Sequence, residues 1–169
     1  MLPEGEGVGK LRLLALTLTQ LEALGAGAQA IDGLPIVPGA LAPAFILVTA
    51  ADALRAGKPP LWHSPWLCVA DSPERAVGTA GFKGPPTSGR VELGYGIAAS
   101  CRRQGFATAA VRCLVELVRR ERAVTEVLAE TAFANPASRR VVEKAGFALV
   151  GQRETVQDGW VDQWCLAVA

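Results

Sequence analysis

The densest chemistry in this chain lies in one run, Val91-Glu92-Leu93-Gly94-Tyr95-Gly96-Ile97-Ala98-Ala99-Ser100-Cys101-Arg102-Arg103-Gln104-Gly105-Phe106-Ala107-Thr108. A strand pattern ends near Ile97, a short polar loop follows, and an amphipathic helix pattern opens at Gly105. The first-turn amides of a helix have no internal partners, and the helix dipole puts partial positive charge there. Gly105 lets a ligand approach the backbone, Ala107 keeps the mouth clear, and Arg102 and Arg103 add full charges. Such a turn suits a pyrophosphate. Taken alone, R-x-x-G-x-A also describes a plain strand–turn–helix connection with solvated arginines. Upstream, Glu92 should share a sheet face with Gly94 and Gly96, opposite Leu93, Tyr95 and Ile97. That leaves a carboxylate beside open space for a substrate, or an exposed strand residue in a salt bridge.

These residues need elements to position them. Leu11 to Leu18 is predicted as a strand, and Thr19 with Glu22 reads as a capping box opening a helix to about Gln29. Ala42 to Ala56 reads as a second helix, ended by Gly57 and the Pro59-Pro60 pair. Residues 59–66, which hold the only histidine, His63, read as a rigid loop. Trp66 to Ala70 and Arg75 to Lys83 should form a hairpin through Asp71-Ser72-Pro73. Val91 to Ile97 is the next strand, followed by a helix from about Gly105 to Arg122. That helix carries Ala107, Ala110, Val111, Leu114, Val115 and Val118 at three- and four-residue spacing. Val124 to Ala132 is another strand. Asn135 opens a last helix to Ala145, with Gly146 placed to close it. Phe147 to Val156 and Trp160 to Val168 should form a hairpin around Asp158-Gly159. With no repeat, linker or low-complexity tract, residues 1–169 read as one mixed α/β domain.

Composition narrows the classes. Half the residues are apolar, 20% are charged, and Lys+Arg 17 against Asp+Glu 16 leaves a net charge of +1. That near-balance gives no global basic field for a nucleic-acid backbone. Cys68, Cys101, Cys113 and Cys165 are widely spaced, without a CxxC pair or a neighbouring His, so no metal site is expected. They read as reduced thiols of a cytoplasmic protein. Glu4 and Glu6 argue against a signal peptide, and the longest mainly apolar run, Leu41 to Ala51, is too short to span a bilayer.

Three segments together resemble a known family. Arg102-Arg103-Gln104-Gly105-Phe106-Ala107 is similar to the [RQ]-x-x-G-x-[GA] pyrophosphate loop of the GNAT superfamily of acyltransferases. Glu92 to Ile97 resembles the strand before that loop. Asn135-Pro136-Ala137-Ser138-Arg139-Arg140-Val141-Val142-Glu143-Lys144-Ala145-Gly146-Phe147 resembles the N-x-x-S…EK-x-GF helix of the ribosomal-protein N-terminal acetyltransferase branch, the RimJ/RimL type. Leu11-Arg12-Leu13 and the hairpin with Asp158, Gly159 and Asp162 fit the same branch. The resemblance implies a seven-stranded, mixed, mostly antiparallel sheet flanked by about four helices. It implies that Val91–Ile97 and Val124–Ala132 splay apart to take a pantetheine arm.

The resemblance also implies acetyl transfer from acetyl-coenzyme A to an amine, either a protein N-terminal α-amine or a small molecule. Glu92 is then the candidate base, acting through water, with backbone N–H groups near Ile97 and Ala98 at the thioester oxygen. Arg102 to Thr108 would hold the diphosphate, and Asn135 would hydrogen-bond the cofactor while capping its helix. Many relatives carry a tyrosine as acid on the last helix, seven residues after the asparagine; Val142 stands there, and the only tyrosine, Tyr95, is on the strand. Ser138 is the candidate proton donor, or else a first-turn serine bonding backbone. The missing tyrosine keeps open a different class, a non-catalytic acyl-coenzyme A sensing module. The acceptor amine is the expected partner of a monomer or homodimer, with neither nucleic acid nor membrane.

Overall fold

The computed structural model describes residues 11–169. The reading at Glu4 and Glu6, and the first ten residues of the expected domain, lie outside the described residues. Within them the elements run β1 (Leu11–Ala15), α1 (Leu18–Gly25), β2 (Ala30–Ile31), β3 (Leu34–Pro35), α2 (Ala44–Arg55), α3 (Pro60–His63), β4 (Trp66–Asp71), β5 (Glu74–Phe82), β6 (Arg90–Ile97), α4 (Phe106–Arg119), β7 (Glu126–Ala132), α5 (Pro136–Lys144), β8 (Ala148–Thr155) and β9 (Gly159–Ala167). Seven strands form one mixed sheet in the order β1-β4-β5-β6-β7-β9-β8, and β2 and β3 make a separate two-stranded ribbon. Only the β6–β7 contact is parallel; the other sheet neighbours are antiparallel.

Period-two alternation gives the sheet two apolar faces. One carries Leu11, Leu13, Trp66, Cys68, Val77, Val91, Leu93 and Val127, and α4 seals it with Val111, Leu114 and Val118. The other carries Leu67, Val69 and Ala76 under Leu21 and Leu24 of α1 and Leu47 and Ala50 of α2. Fully burying one such aliphatic side chain contributes about 1.5–3 kcal/mol, so these two layers fix the sheet between helices.

Several predicted boundaries move. The first helix is capped by Thr17, not Thr19: its side chain accepts from the Gln20 amide at 3.3 Å, and Gln20 Oε1 accepts the Thr17 amide at 2.9 Å. Both T-x-x-[QE] spacings occur here, and the one that lets Leu21 and Leu24 face the sheet prevails. The helix ends at Gly25, four residues early, because residues 30–35 turn back as the β2–β3 ribbon. Pro60 to His63, read as loop, winds one helical turn, which Pro60 at the first position favours. His63 Nδ1 lies 3.0 Å from the Pro59 carbonyl, a local contact within that turn. None of the four cysteines forms a disulfide; Cys68, Cys101 and Cys113 are buried, and burial pushes the Cys68 thiol well above its ordinary value.

The decisive feature is where the sheet divides. β6 and β7 pair only through Arg90–Glu126, Val91–Val127 and Glu92–Leu128. Beyond Glu92, β6 stays with β5 as far as Ile97, and β7 stays with β9 as far as Ala132. The strands therefore part into a wedge whose apex is Glu92.

Candidate functional site

The wedge edge is built from main chain. In the β5–β6 ladder the Lys83 amide donates to the Glu92 carbonyl at 2.8 Å, and the Ala98 amide donates to the Val77 carbonyl at 2.8 Å. Backbone groups alternate sides along an antiparallel strand. Glu92, Gly94, Gly96 and Ala98 thus address β5, whereas Tyr95 and Ile97 point their N–H and C=O groups into the wedge; the Leu93 N–H still belongs to the last step of the β6–β7 ladder, opposite the Leu128 carbonyl. The expectation for Ala98 is corrected accordingly: its amide is taken by Val77 and is not a donor for a ligand. Ile97 keeps the expected orientation, and its carbonyl accepts from Arg102 Nε at 3.3 Å.

The loop after β6 makes one 3-10 turn, Ala99–Cys101, then places Arg102, Arg103 and Gln104 in solvent. Arg103 has φ +59° and Gly105 φ +83°, so the chain passes twice through the left-handed region before α4 begins. Gly105 is the N-cap of α4 and offers no side-chain bond to the first turn. The amides of Phe106, Ala107 and Thr108 therefore lie at a helix start without a side-chain cap, next to two exposed arginines. That combination fits a diphosphate. A Cβ built on Gly105 meets nothing within 4 Å, so the demand for glycine there is conformational.

Across the wedge, Asn135 caps α5: its Oδ1 accepts the Ser138 amide at 3.0 Å. Its amide nitrogen is the part left to face a ligand. Ser138 also meets β6. The Tyr95 hydroxyl lies 2.7 Å from Ser138 Oγ and 3.2 Å from the Ser138 carbonyl oxygen. The lone tyrosine thus reaches from the strand to Ser138 of the last helix, the residue that the resemblance offered as a proton donor. Burial pushes the Tyr95 phenol above its ordinary value, against the opposing hydrogen bond to Ser138. Val142 is fully buried under α5 and plays no part at the wedge.

The opposite face of the wedge carries charge. Glu92 sits on it with Gly94 and Gly96, as alternation required, and its Oε1 pairs with Lys83 Nζ. A Cβ on Gly96 would meet nothing within 4 Å, and one on Gly94 only Lys83 Cε, at 3.8 Å. The face is open. A second carboxylate, Glu130 on β7, lies on this face and escaped sequence reasoning. Arg153 grips it with Nε–Oε1 at 2.6 Å and Nη2–Oε2 at 2.8 Å, and Gln163 adds Nε2–Oε1 at 3.2 Å. Those bonds, the Arg153 pair foremost, hold the Glu130 carboxyl below the usual range, while its own burial opposes them. Period two in Glu126-Leu128-Glu130-Ala132 was the available signal; the partner became visible only with the β8–β9 register. Asp162, on the other face, is 3% exposed and bonds Gln152 at 2.8 Å and Arg139 at 3.4 Å, a buried tie between α5 and the terminal hairpin.

The structure thus brings together Glu92, Ile97, Ser138, Asn135 and the run Arg102 to Thr108 around one wedge, and removes the Ala98 amide from it. No group of three or more metal-ligating side chains occurs among the described residues.

A model of a family described as an acetyltransferase (GNAT) domain matches residues 46–148. An uncharacterized N-acetyltransferase, YjdG, of Bacillus subtilis (strain 168) is 31% identical over 85 residues, covering 50% of this chain and 51% of that protein. The match therefore spans about half the length of that relative. Among solved structures, RimL, a ribosomal-protein alpha-N-acetyltransferase in complex with coenzyme A, aligns with TM-score 0.70 and 16% identity over 98% of each chain. AAC(6')-Ib in complex with ribostamycin and coenzyme A aligns with TM-score 0.65 and 21% identity over 94% of each chain. A spermidine N-acetyltransferase SpeG chimera from Vibrio cholerae aligns with TM-score 0.68 and 12% identity over 95% of this chain and 96% of that one. At these identities the three structures are alike in fold.

Proposed function

This chain belongs to the GNAT acetyltransferase family, and from that premise we propose that it moves an acetyl group from acetyl-coenzyme A to a primary amine. One observation carries the reading: the sheet parts at Glu92, with outward main-chain groups on one side and an open glycine face on the other. Acetyl-coenzyme A would supply an acyl group activated as a thioester. Its amide-rich arm suits the unpaired edge of β6, a form of strand addition, and its diphosphate suits the start of α4.

The chain's own residues then divide the work. Glu92 takes a proton from the acceptor's ammonium, through water, because only the neutral amine is a nucleophile. The main-chain N–H of Ile97 faces the oxygen that gains charge. Ser138 offers its hydroxyl proton to the departing sulfur, with the Tyr95 phenol hydrogen-bonded behind it. Asn135 serves twice, as helix cap through Oδ1 and as a cofactor donor through its amide nitrogen. The acceptor class stays with amines, whether a peptide N-terminus or a small molecule.

The test is a thiol-release screen across N-terminal peptides, polyamines, amino acids and aminoglycosides, paired with isothermal titration of acetyl-coenzyme A. Binding with amine-dependent thiol release is expected. Binding without release to any amine would favour a sensing module, and no binding would overturn the reading. Glu92→Gln should lower turnover about 10²–10⁴-fold and change its pH dependence while sparing cofactor affinity. Unchanged turnover across pH would remove Glu92 from the base role.

A further inference from the structure

The ammonium nearest the wedge apex belongs to the protein itself. Lys83 follows the end of β5, its stem runs over Gly94, and its Nζ rests on Glu92 Oε1. Glu92 is the last residue of β6 paired with β7, so this ammonium stands where the two strands begin to part, on the open glycine face. Lys83 is held loosely. Its side chain is 57% exposed, and exposed ion pairs are weak, so thermal motion frees the amine readily.

Building on the proposed transferase reading, we propose that Lys83 is itself an acceptor: the chain acetylates Lys83 Nζ in cis when no other amine occupies the face. The step balances. Glu92 accepts one proton from the Lys83 ammonium, and the freed lone pair forms a nitrogen–carbon bond to the acyl carbon. The carbon–sulfur bond breaks, and its electron pair leaves with sulfur as a thiolate. The Ser138 hydroxyl protonates that thiolate and is restored by the second proton lost by nitrogen, and the proton on Glu92 passes to solvent. A tethered amine also has an advantage over a dissolved one, because short tethers give effective concentrations on the order of millimolar. No other lysine among the described residues shares this setting: Lys58 follows α2 and Lys144 ends α5.

The experiment incubates the full chain with acetyl-coenzyme A and no added amine, then reads intact mass and maps peptides. One acetyl group on Lys83 is expected, gained at least about tenfold faster than on Lys58 or Lys144. The rate per molecule should not change with protein concentration, and an added good acceptor should slow it. Lys83→Arg should remove the fast phase of the mass gain, and Glu92→Gln should slow it with the fold intact by circular dichroism. If Lys83 is labelled no faster than Lys58 while titration shows acetyl-coenzyme A bound, this inference fails and the transferase reading stands. Labelling that grows with protein concentration, or is indifferent to Glu92→Gln, also overturns it. If acetyl-coenzyme A does not bind at all, both fall together.

Discussion

Glu92 and Glu130 share a face and differ in what holds them. Glu92 meets one flexible ammonium, whereas Glu130 is clasped by a planar guanidinium fork and a glutamine amide. A bidentate arginine stabilises the ionised form strongly, so Glu130 stays charged and is a poor proton acceptor. Glu92 is the carboxylate left for proton transfer. The depressed Glu130 pKa also makes a stability statement. Its contribution is complete above the ordinary unfolded value of about 4.3 and is lost as pH falls through the lower folded value. Arg153→Ala should therefore be less stable than the parent in urea melts at about pH 7, with the gap closing near about pH 3. A gap that persists in acid would place the effect in packing instead. At this scale the sequence showed the faces of Glu92 and Tyr95 through period two. It hid the Tyr95–Ser138 bond and the Arg153–Glu130 pair, which join residues 43 and 23 apart in the chain.

Elements with a strong period were legible. The helix α4 carries its buried residues at three- and four-residue spacing, and α5 is bracketed by Asn135 and Gly146, the latter at φ +95°. Elements without a period were not. Two-residue strands such as β2 and β3 carry no alternation, and the choice between Thr17 and Thr19 as cap depended on which leucines the sheet would bury. That choice is testable: Thr17→Ala should cost about 1 kcal/mol, and Thr19→Ala should stay within about 0.5 kcal/mol, both read from denaturant midpoints. The start of α4 has its own test. A β-branched residue at Gly105 must adopt the left-handed region, at a cost of about 1–2 kcal/mol, so the turn should rearrange. Gly105→Val should weaken acetyl-coenzyme A binding in titration; parent-like affinity would mean the diphosphate is held elsewhere.

For the molecule as a whole, the sheet order places β6 and β7 side by side at the centre while each stays bonded to its outer neighbour. A mixed sheet was legible from the order of strands and helices, and the parting of the central pair came from resemblance alone. No local pattern in Leu93 or Leu128 announces that pairing stops between them. The helix α4 packs on β1, β4, β5 and β6 and also on α5, which packs on β7, so it ties the two halves together. Leu114, fully buried beneath it, is the side chain to remove. Leu114→Ala should destabilise the chain by about 2–5 kcal/mol, measured by chemical denaturation.

The unpaired edge of β6 has a consequence for how this chain can change over time. Its hydrogen-bonding groups at Tyr95 and Ile97 are peptide groups, which every residue type except proline supplies in full. The Tyr95 side chain answers to Ser138, but that of Ile97 answers only to the core it packs against, so mutation there can exchange one apolar residue for another and leave the offered donors and acceptors intact. Substitution by proline is the change such an edge does not survive.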